Sequence, residues 1–219
     1  MRTQPATGPT KAPVSTPGVD RTDLVRLPWA LRVDGVSMVV RPSTARDLAN
    51  TAVMHHRCSA RTLLGRYQLG GRPPSILALD RQLRQPLSFV VTMRDGAGVG
   101  GAVVATASLG PDLKHGSEAG QAGILVEDSW QRLGIGHELL THLAGVASLT
   151  GYRELVAYPG LMSEAIQRMV TALGTTRMVN DEDGIHLHTA LPASASGGLG
   201  PLRAGVLADG DELFLRRIG

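Results

Sequence analysis

The sequence predicts an α+β fold, a central mixed and mostly antiparallel sheet flanked by helices. Three observations carry that prediction. Short apolar runs bounded by glycine, proline and aspartate recur at strand length between residues 37 and 126, and again after 154. Two longer stretches place Leu139, Leu140, Leu143 and Val146, and then Ile166, Met169, Val170 and Leu173, on single helical faces. The element order, β-α-α-β-β-β-α-β-α-β-β, lacks the regular βα alternation of a doubly wound sheet.

Residues 1–36 hold Pro5, Pro9, Pro13, Pro17 and Pro28 and read as a flexible, partly polyproline leader. The first 20 residues have no apolar run of the kind a secretory signal needs. Met38–Val40 forms a short strand that Pro42 stops, and Ser43 or Thr44 caps a helix running through Leu48, Val53 and Met54. A second helical stretch spans Ser59–Gln68, ended by Gly70, Gly71, Pro73 and Pro74. Leu87–Met93 and Ala102–Leu109 are strands joined as a hairpin through Asp95-Gly96. After a loop, Gly110–Gly120, a third strand covers Gln121–Val126. An amphipathic helix over Gly134–Leu149, a buried strand at Leu155–Tyr158 and a second helix, Ser163–Leu173, follow, with Gly174 as a C′ glycine. Thr175–Val179 and Ile185–Leu191 flank the acidic turn Asp181–Gly184 as a terminal hairpin. The folded domain thus spans 37–192. Residues 193–219 form a Gly/Ser linker and tail, with Asp209-Gly210 suited to a further hairpin.

Composition excludes several functions. Of 219 residues, 42% are hydrophobic and 19% charged, enough for a globular core. Only two Trp, three Tyr and two Phe occur, which disfavours base-stacking platforms and aromatic sugar grooves. Lys11 and Lys114 are the only lysines among 22 basic residues, and the arginines are spread along the chain rather than clustered, so no nucleic-acid footprint is expected. Cys58 is the single cysteine, which rules out an intrachain disulfide and fits a reducing, cytoplasmic compartment. No apolar run approaches the roughly 18 residues of a membrane span, so no membrane partner is expected.

No metal site is expected either. His137 and His142 in His-Glu-Leu-Leu-Thr-His lie about 140° apart around a helix and cannot share an ion. His186 and His188 share a strand face, but no third ligand is evident, and they read as ordinary surface histidines. His55, His56 and Cys58 read as packing or surface residues at a helix end. Trp130 reads as packing behind the loop that follows.

The segment that carries chemistry runs from Ala122 to Gly136. A strand ends at Val126, and Gln131-Arg132-Leu133-Gly134-Ile135-Gly136 opens a helix. The first amides of that helix lack intrahelical partners, and its dipole adds roughly half a positive charge. Gly134 and Gly136 clear side chains from the approach, and Arg132 adds a guanidinium, so the segment reads as a pyrophosphate cradle. A Rossmann fingerprint and a P-loop are both excluded by spacing.

Here the sequence resembles the GCN5-related N-acetyltransferase (GNAT) family, whose Q/R-x-x-G-x-G/A motif Gln131, Arg132, Gly134 and Gly136 match. Val126-Glu127-Asp128-Ser129-Trp130-Gln131 is similar to the family's V-x-D-x-W-Q lead-in, and the later helix ending in Leu173-Gly174 also agrees. Met54–Ser59 resembles, more weakly, the bacterial subgroup that acetylates protein lysines. The resemblance implies a GNAT fold with splayed fourth and fifth strands. It implies acetyl-CoA as co-substrate, with Gln131, Arg132, Leu133, Gly134, Ile135 and Gly136 on the pyrophosphate, Leu125 and Val126 along the pantetheine arm, and Ser163 on its amide. An oxyanion-stabilising amide is expected near Val126.

The chain departs from the family pattern at four positions. Val170 stands where a tyrosine acid is usual, Ser163 where an asparagine is, Thr175 where a phenylalanine is, and Gln121 where the lysine-acetylating subgroup has a glutamate base. Glu118 and Glu127 are the candidates to replace that base through a water, and Tyr158 the candidate thiolate acid. The expected function is N-acetyl transfer from acetyl-CoA to a protein lysine or small-molecule amine. The alternative is a non-catalytic acyl-CoA-binding regulatory module.

Overall fold

The structure, a computed structural model, describes residues 28–67, 70–94, 101–182, 184–191, 203–206 and 213–216. Strands β1 (Trp29–Val33) and β2 (Val36–Pro42) precede three helices, α1 (Leu48–Arg57), α2 (Ala60–Tyr67) and α3 (Ile76–Leu83). Then come β3 (Ser88–Met93), β4 (Val103–Pro111) and β5 (Ala119–Val126), followed by α4 (Ile135–Leu149), β6 (Glu154–Ala157) and α5 (Glu164–Thr171). The hairpin β7 (Thr176–Asp181) and β8 (Gly184–Ala190) completes the domain. Strands β9 (Arg203–Val206) and β10 (Leu213–Arg216) pair antiparallel as a separate ribbon, the hairpin expected in the tail. The leader up to residue 27, the Asp95-Gly96 turn, the Gly/Ser linker and Asp209-Gly210 lie outside the described residues.

Eight strands form one sheet in the order β1-β2-β3-β4-β5-β6-β8-β7. All neighbours are antiparallel except β5 and β6, which are parallel. A parallel pair needs a long crossover, and α4 supplies it. The β5–β6 pairing runs only from Ala119↔Glu154 to Ala122↔Ala157. Strand β5 continues to Val126, held by β4 as far as Ala105↔Val126. Residues Gly123–Val126 therefore keep an open edge toward β6, the splay expected between the two central strands.

Strand alternation divides the interior into two cores. On one face, Phe89 and Val91 of β3 and Ala105 and Ala107 of β4 pack with Ile135, Leu139, Leu143 and Ala147 of α4 and Val170 of α5. On the other, Val90, Val103 and Leu125 meet Met54 of α1, Leu63 of α2 and Leu83 of α3, with Cys58 beside them. These residues are almost fully buried, and each large aliphatic side chain so placed stabilises the fold by about 1.5–3 kcal/mol. The His142 ring lies 3.9 Å from the Trp29 ring and 5.1 Å from Phe89, closing the first core at the β1 edge. Among the described residues no helix is long and apolar enough to cross a membrane.

Several elements differ from the sequence expectation. The sheet begins at Trp29 rather than near residue 37. Asp34 (φ 48°) and Gly35 (φ 79°) both take positive φ and turn β1 onto β2 as a tight hairpin. Helix α3 fills a stretch for which no element was expected, and the Ser75 hydroxyl caps it by accepting from the Ala78 N–H at 3.2 Å. Helix α5 ends at Thr171, and Gly174 is not a left-handed cap. A Cβ at Gly174 would come within 2.6 Å of the Ala190 carbonyl, so close approach to β8 is what requires glycine there.

Candidate active site

The loop expected to hold phosphate joins β5 to α4. After Val126, a 3-10 turn at Asp128–Trp130 redirects the chain. Arg132 (φ 63°) and Gly134 (φ 89°) then adopt left-handed backbone, and Gly134 is the residue before α4. Left-handed φ is uncommon for a non-glycine residue and clusters at ligand clamps. The Glu138 N–H bonds the Gly134 carbonyl at 3.1 Å and starts the helical ladder, so the amides before it have no intrahelical acceptor. Arg132, Leu133 and Gly134 are exposed around them, while the Ile135 side chain is buried in the core and Trp130 packs against it. A Cβ at Gly134 would meet nothing within 4 Å, and one at Gly136 would make only ordinary contact with Met169 and Val126. Backbone conformation, rather than crowding within the fold, therefore demands glycine at 134.

Gln131 ties the loop down. Its side-chain amide donates to the Val126 carbonyl at 3.0 Å and to the Thr62 hydroxyl at 2.9 Å. Asp128 accepts from the Ser59 N–H (2.8 Å), the Ser59 hydroxyl (2.7 Å) and the Thr62 hydroxyl (2.9 Å), capping α2. Burial works to raise the Asp128 pKa, but these donors hold it below the usual carboxylate range. At the strand end the Glu127 N–H bonds the Val104 carbonyl of β4 at 3.0 Å. Strand alternation then turns the Val126 N–H and C=O toward the open edge. The Leu125 side chain is committed to the core against Met54 and Val103, so Val126 is the residue that presents backbone to the notch.

The predicted acid–base residues are scattered. Glu127 is buried past the strand end, where it accepts from Arg57 at 2.7 Å and from the Ser129 hydroxyl at 3.1 Å. Hydrogen bonding to Glu127 raises the Arg57 pKa, and Arg57 also donates to the Val103 carbonyl at 2.8 Å. Glu118 is exposed before β5 begins, 3.1 Å from Arg153. Ser163 caps α5, its hydroxyl accepting from the Ile166 N–H at 3.3 Å. Val170 is buried in the core. Burial pushes the Cys58 thiol up to about 12, which makes it an inert packing residue. His55 is fully buried between the Thr51 carbonyl (2.7 Å) and the Tyr67 hydroxyl (2.8 Å).

A cavity of about 510 Å³ opens where β5 and β6 begin to part. Gln121 and Ala122 border it from β5, Arg66 from α2, Asp112 from the β4–β5 loop, and Tyr158 from the end of β6. Neither Glu118 nor Glu127 borders it. The Tyr158 hydroxyl donates to Asp112 Oδ2 at 2.6 Å. Burial works to raise the Asp112 pKa, but Tyr158, His115 and the Lys114 amide hold it low. The Arg66 guanidinium occupies the space beside Gly123, where an added Cβ would collide with it. It donates to the Ser108 hydroxyl at 3.3 Å and lies 4.9 Å from the Tyr67 ring, and its Nε is buried with no hydrogen-bond partner. Among the described residues no carboxylate pairs with it, and burial lowers its pKa.

Sequence reasoning missed Arg66 and Asp112, because only the fold brings α2 and the β4–β5 loop to one cavity. It also placed His186 and His188 on the surface without a third ligand. Both are buried instead, and His115 packs against them at ring distances of 5.6 and 4.5 Å. His142 is taken up by the Trp29 stack.

Comparison with known proteins agrees with this architecture. The model of the GNAT acetyltransferase family matches residues 58–174. The GNAT domain of S. lividans PAT is 20% identical, with a TM-score of 0.57 over 75% of this chain and 97% of that one. A phosphinothricin acetyltransferase from Sinorhizobium meliloti, solved with AcCoA, is 19% identical, with a TM-score of 0.55 over 74% of this chain and 92% of that one. No curated protein sequence matches the chain. With the fold, the open strand edge and a family match over more than half its length, the chain belongs to the GNAT acetyltransferase family.

Proposed function

We propose that the chain transfers acetyl from acetyl-CoA to an amine by direct attack. The observation that carries this reading is the adjacency of the uncapped α4 amides to the open edge of Gly123–Val126. A pyrophosphate on the loop would direct the pantetheine arm along that edge and bring the thioester to the cavity. The amides and side chains of residues 131–136 would hold the phosphates. The Val126 N–H would stabilise the developing oxyanion, and Ser163 would reach the pantetheine amide from the start of α5.

The amine nitrogen forms its bond to the thioester carbon as the C–S bond breaks. The thiolate takes a proton from Tyr158, which borders the cavity, and the amine's proton leaves to water. Glu118 and Glu127 carry no step here, because they lie outside the cavity, paired with Arg153 and Arg57. Arg66, with no acidic partner among the described residues, favours an acceptor that bears a carboxylate or phosphate beside its amine over an uncharged one.

The test is release of free thiol from acetyl-CoA over a panel of amino acids, phosphorylated amines, neutral amines and lysine peptides. Turnover with the anionic amines, lost in Arg66→Ala, supports the reading. Binding of acetyl-CoA without turnover on any amine would instead support the regulatory module, which the burial of Val170 in place of a tyrosine acid favours.

A further inference from the structure

We propose that His115, His186 and His188 form a binding site for a divalent transition metal ion of the zinc class. His186 and His188 alternate along β8 and so face the same side of the sheet, opposite the α4 core that takes Leu187. Their side chains are fully buried. His115 descends on them from the β4–β5 loop with 23% of its side chain exposed. One ring nitrogen from each residue can be chosen so that all three lie within 4.8 Å of one another.

The ring nitrogens are arranged as ligands rather than as packing. Neither nitrogen of His186 has a hydrogen-bond partner, and neither does Nε2 of His188. Asp181 Oδ1 lies 3.2 Å from His186 Nε2 but without the alignment of a hydrogen bond. Buried polar groups are costly to leave unsatisfied, and a metal would take one such nitrogen from each of the two rings. The other nitrogens face carboxylates. His188 Nδ1 is 3.0 Å from Glu154 Oε2, and His115 Nδ1 is 3.1 Å from Asp112 Oδ2. An ionised carboxylate only accepts, so the nitrogen bonded to it is a donor and Nε2 is the nitrogen left to face an ion. Arg177 Nη2 is 3.1 Å from both His188 Nδ1 and Glu154 Oε1, and the Tyr158 hydroxyl is 3.2 Å from His115 Nδ1. Carboxylate–histidine pairs of this kind orient metal-binding imidazoles.

Three imidazole nitrogens suit zinc and its neighbours rather than calcium or magnesium. A tetrahedral ion with Zn–N bonds of about 2.0–2.1 Å draws its ligand atoms closer than they now stand. His115, on a loop and partly exposed, is the side chain able to close that gap. The bound ion would fasten the β4–β5 loop, which borders the cavity, to β8.

The full chain, treated with a chelator and then titrated with Zn²⁺ and separately with Co²⁺, tests this. The expected result is one equivalent bound, the intense visible bands of tetrahedral Co²⁺, and a rise in melting temperature that His115→Ala abolishes while keeping its circular dichroism. Asp112→Asn should weaken binding about 10- to 100-fold, and His137→Ala should leave it unchanged. Absence of stoichiometric binding by the folded wild-type chain, or equal binding by His115→Ala, would overturn the assignment. None of these readouts depends on acetyl transfer.

Discussion

The Gln131 side-chain amide donates to the Val126 carbonyl at 3.0 Å. A single bond thereby fixes the end of β5 against the start of the loop that opens α4, and the second donation to Thr62 adds α2 to the same joint. Gln131→Ala removes both bonds while leaving the loop amides in place. Net hydrogen-bond contributions of about 0.5–1.5 kcal/mol predict a roughly 3- to 10-fold loss of acetyl-CoA affinity, with little change in fold. Calorimetry beside circular dichroism measures both.

Glu127 holds Arg57 and thereby the end of α1, so its replacement is expected to act on stability. Glu127→Ala leaves the Arg57 guanidinium, 37% exposed, without its anion and should cost about 1 kcal/mol in urea unfolding. Conservative Glu127→Gln should retain most of the acetyl-transfer rate. A rate loss of several orders of magnitude in a stably folded Glu127→Gln protein would restore Glu127 to the base role.

Burial holds His142 at about 4, below its ordinary value of 6.5. Between those two values the unfolded chain binds more protons than the folded one. Stability from this residue is therefore complete above pH 6.5 and lost as the pH falls toward 4, by at most about 3 kcal/mol. His142→Phe keeps an aromatic ring between Trp29 and Phe89 and removes that slope. Urea unfolding of both proteins at pH 7 and pH 5 reads the difference, which should shrink in the variant.

Leu143 is fully buried where α4 crosses the sheet. Leu143→Ala should destabilise the domain by about 2–5 kcal/mol through lost transfer energy and a residual cavity. Denaturant midpoints at unchanged m-value would report it.

The strand–loop–helix unit around Gln131 to Gly136 was legible in the sequence because its signal is local: a strand, a glycine-bearing loop and an amphipathic helix lie within one short segment. The helix between the two central strands and the terminal hairpin were legible for the same reason. Helix α3 escaped because it is short and follows Pro73-Pro74, although Ser75 and the spacing of Ile76, Leu79 and Leu83 hold its signature. Strand β1 escaped because Pro28 drew Trp29–Val33 into the leader, despite the Asp34-Gly35 turn signal. Tertiary meetings were not legible at all. Nothing near Glu127 in sequence announces Arg57, and nothing near His186 announces His115. Each carboxylate or histidine takes its role from the partner that the sheet order brings to it.

The central claim is that the amides opening α4 hold the pyrophosphate of acetyl-CoA. Calorimetric titration of acetyl-CoA into the wild-type chain and into Gly134→Glu tests it most directly. The substitution adds bulk and negative charge at a left-handed, outward-facing position, so the account predicts saturable one-to-one binding that the variant loses while remaining folded. Equal affinity in the two folded proteins, or no binding by the wild type, would contradict it.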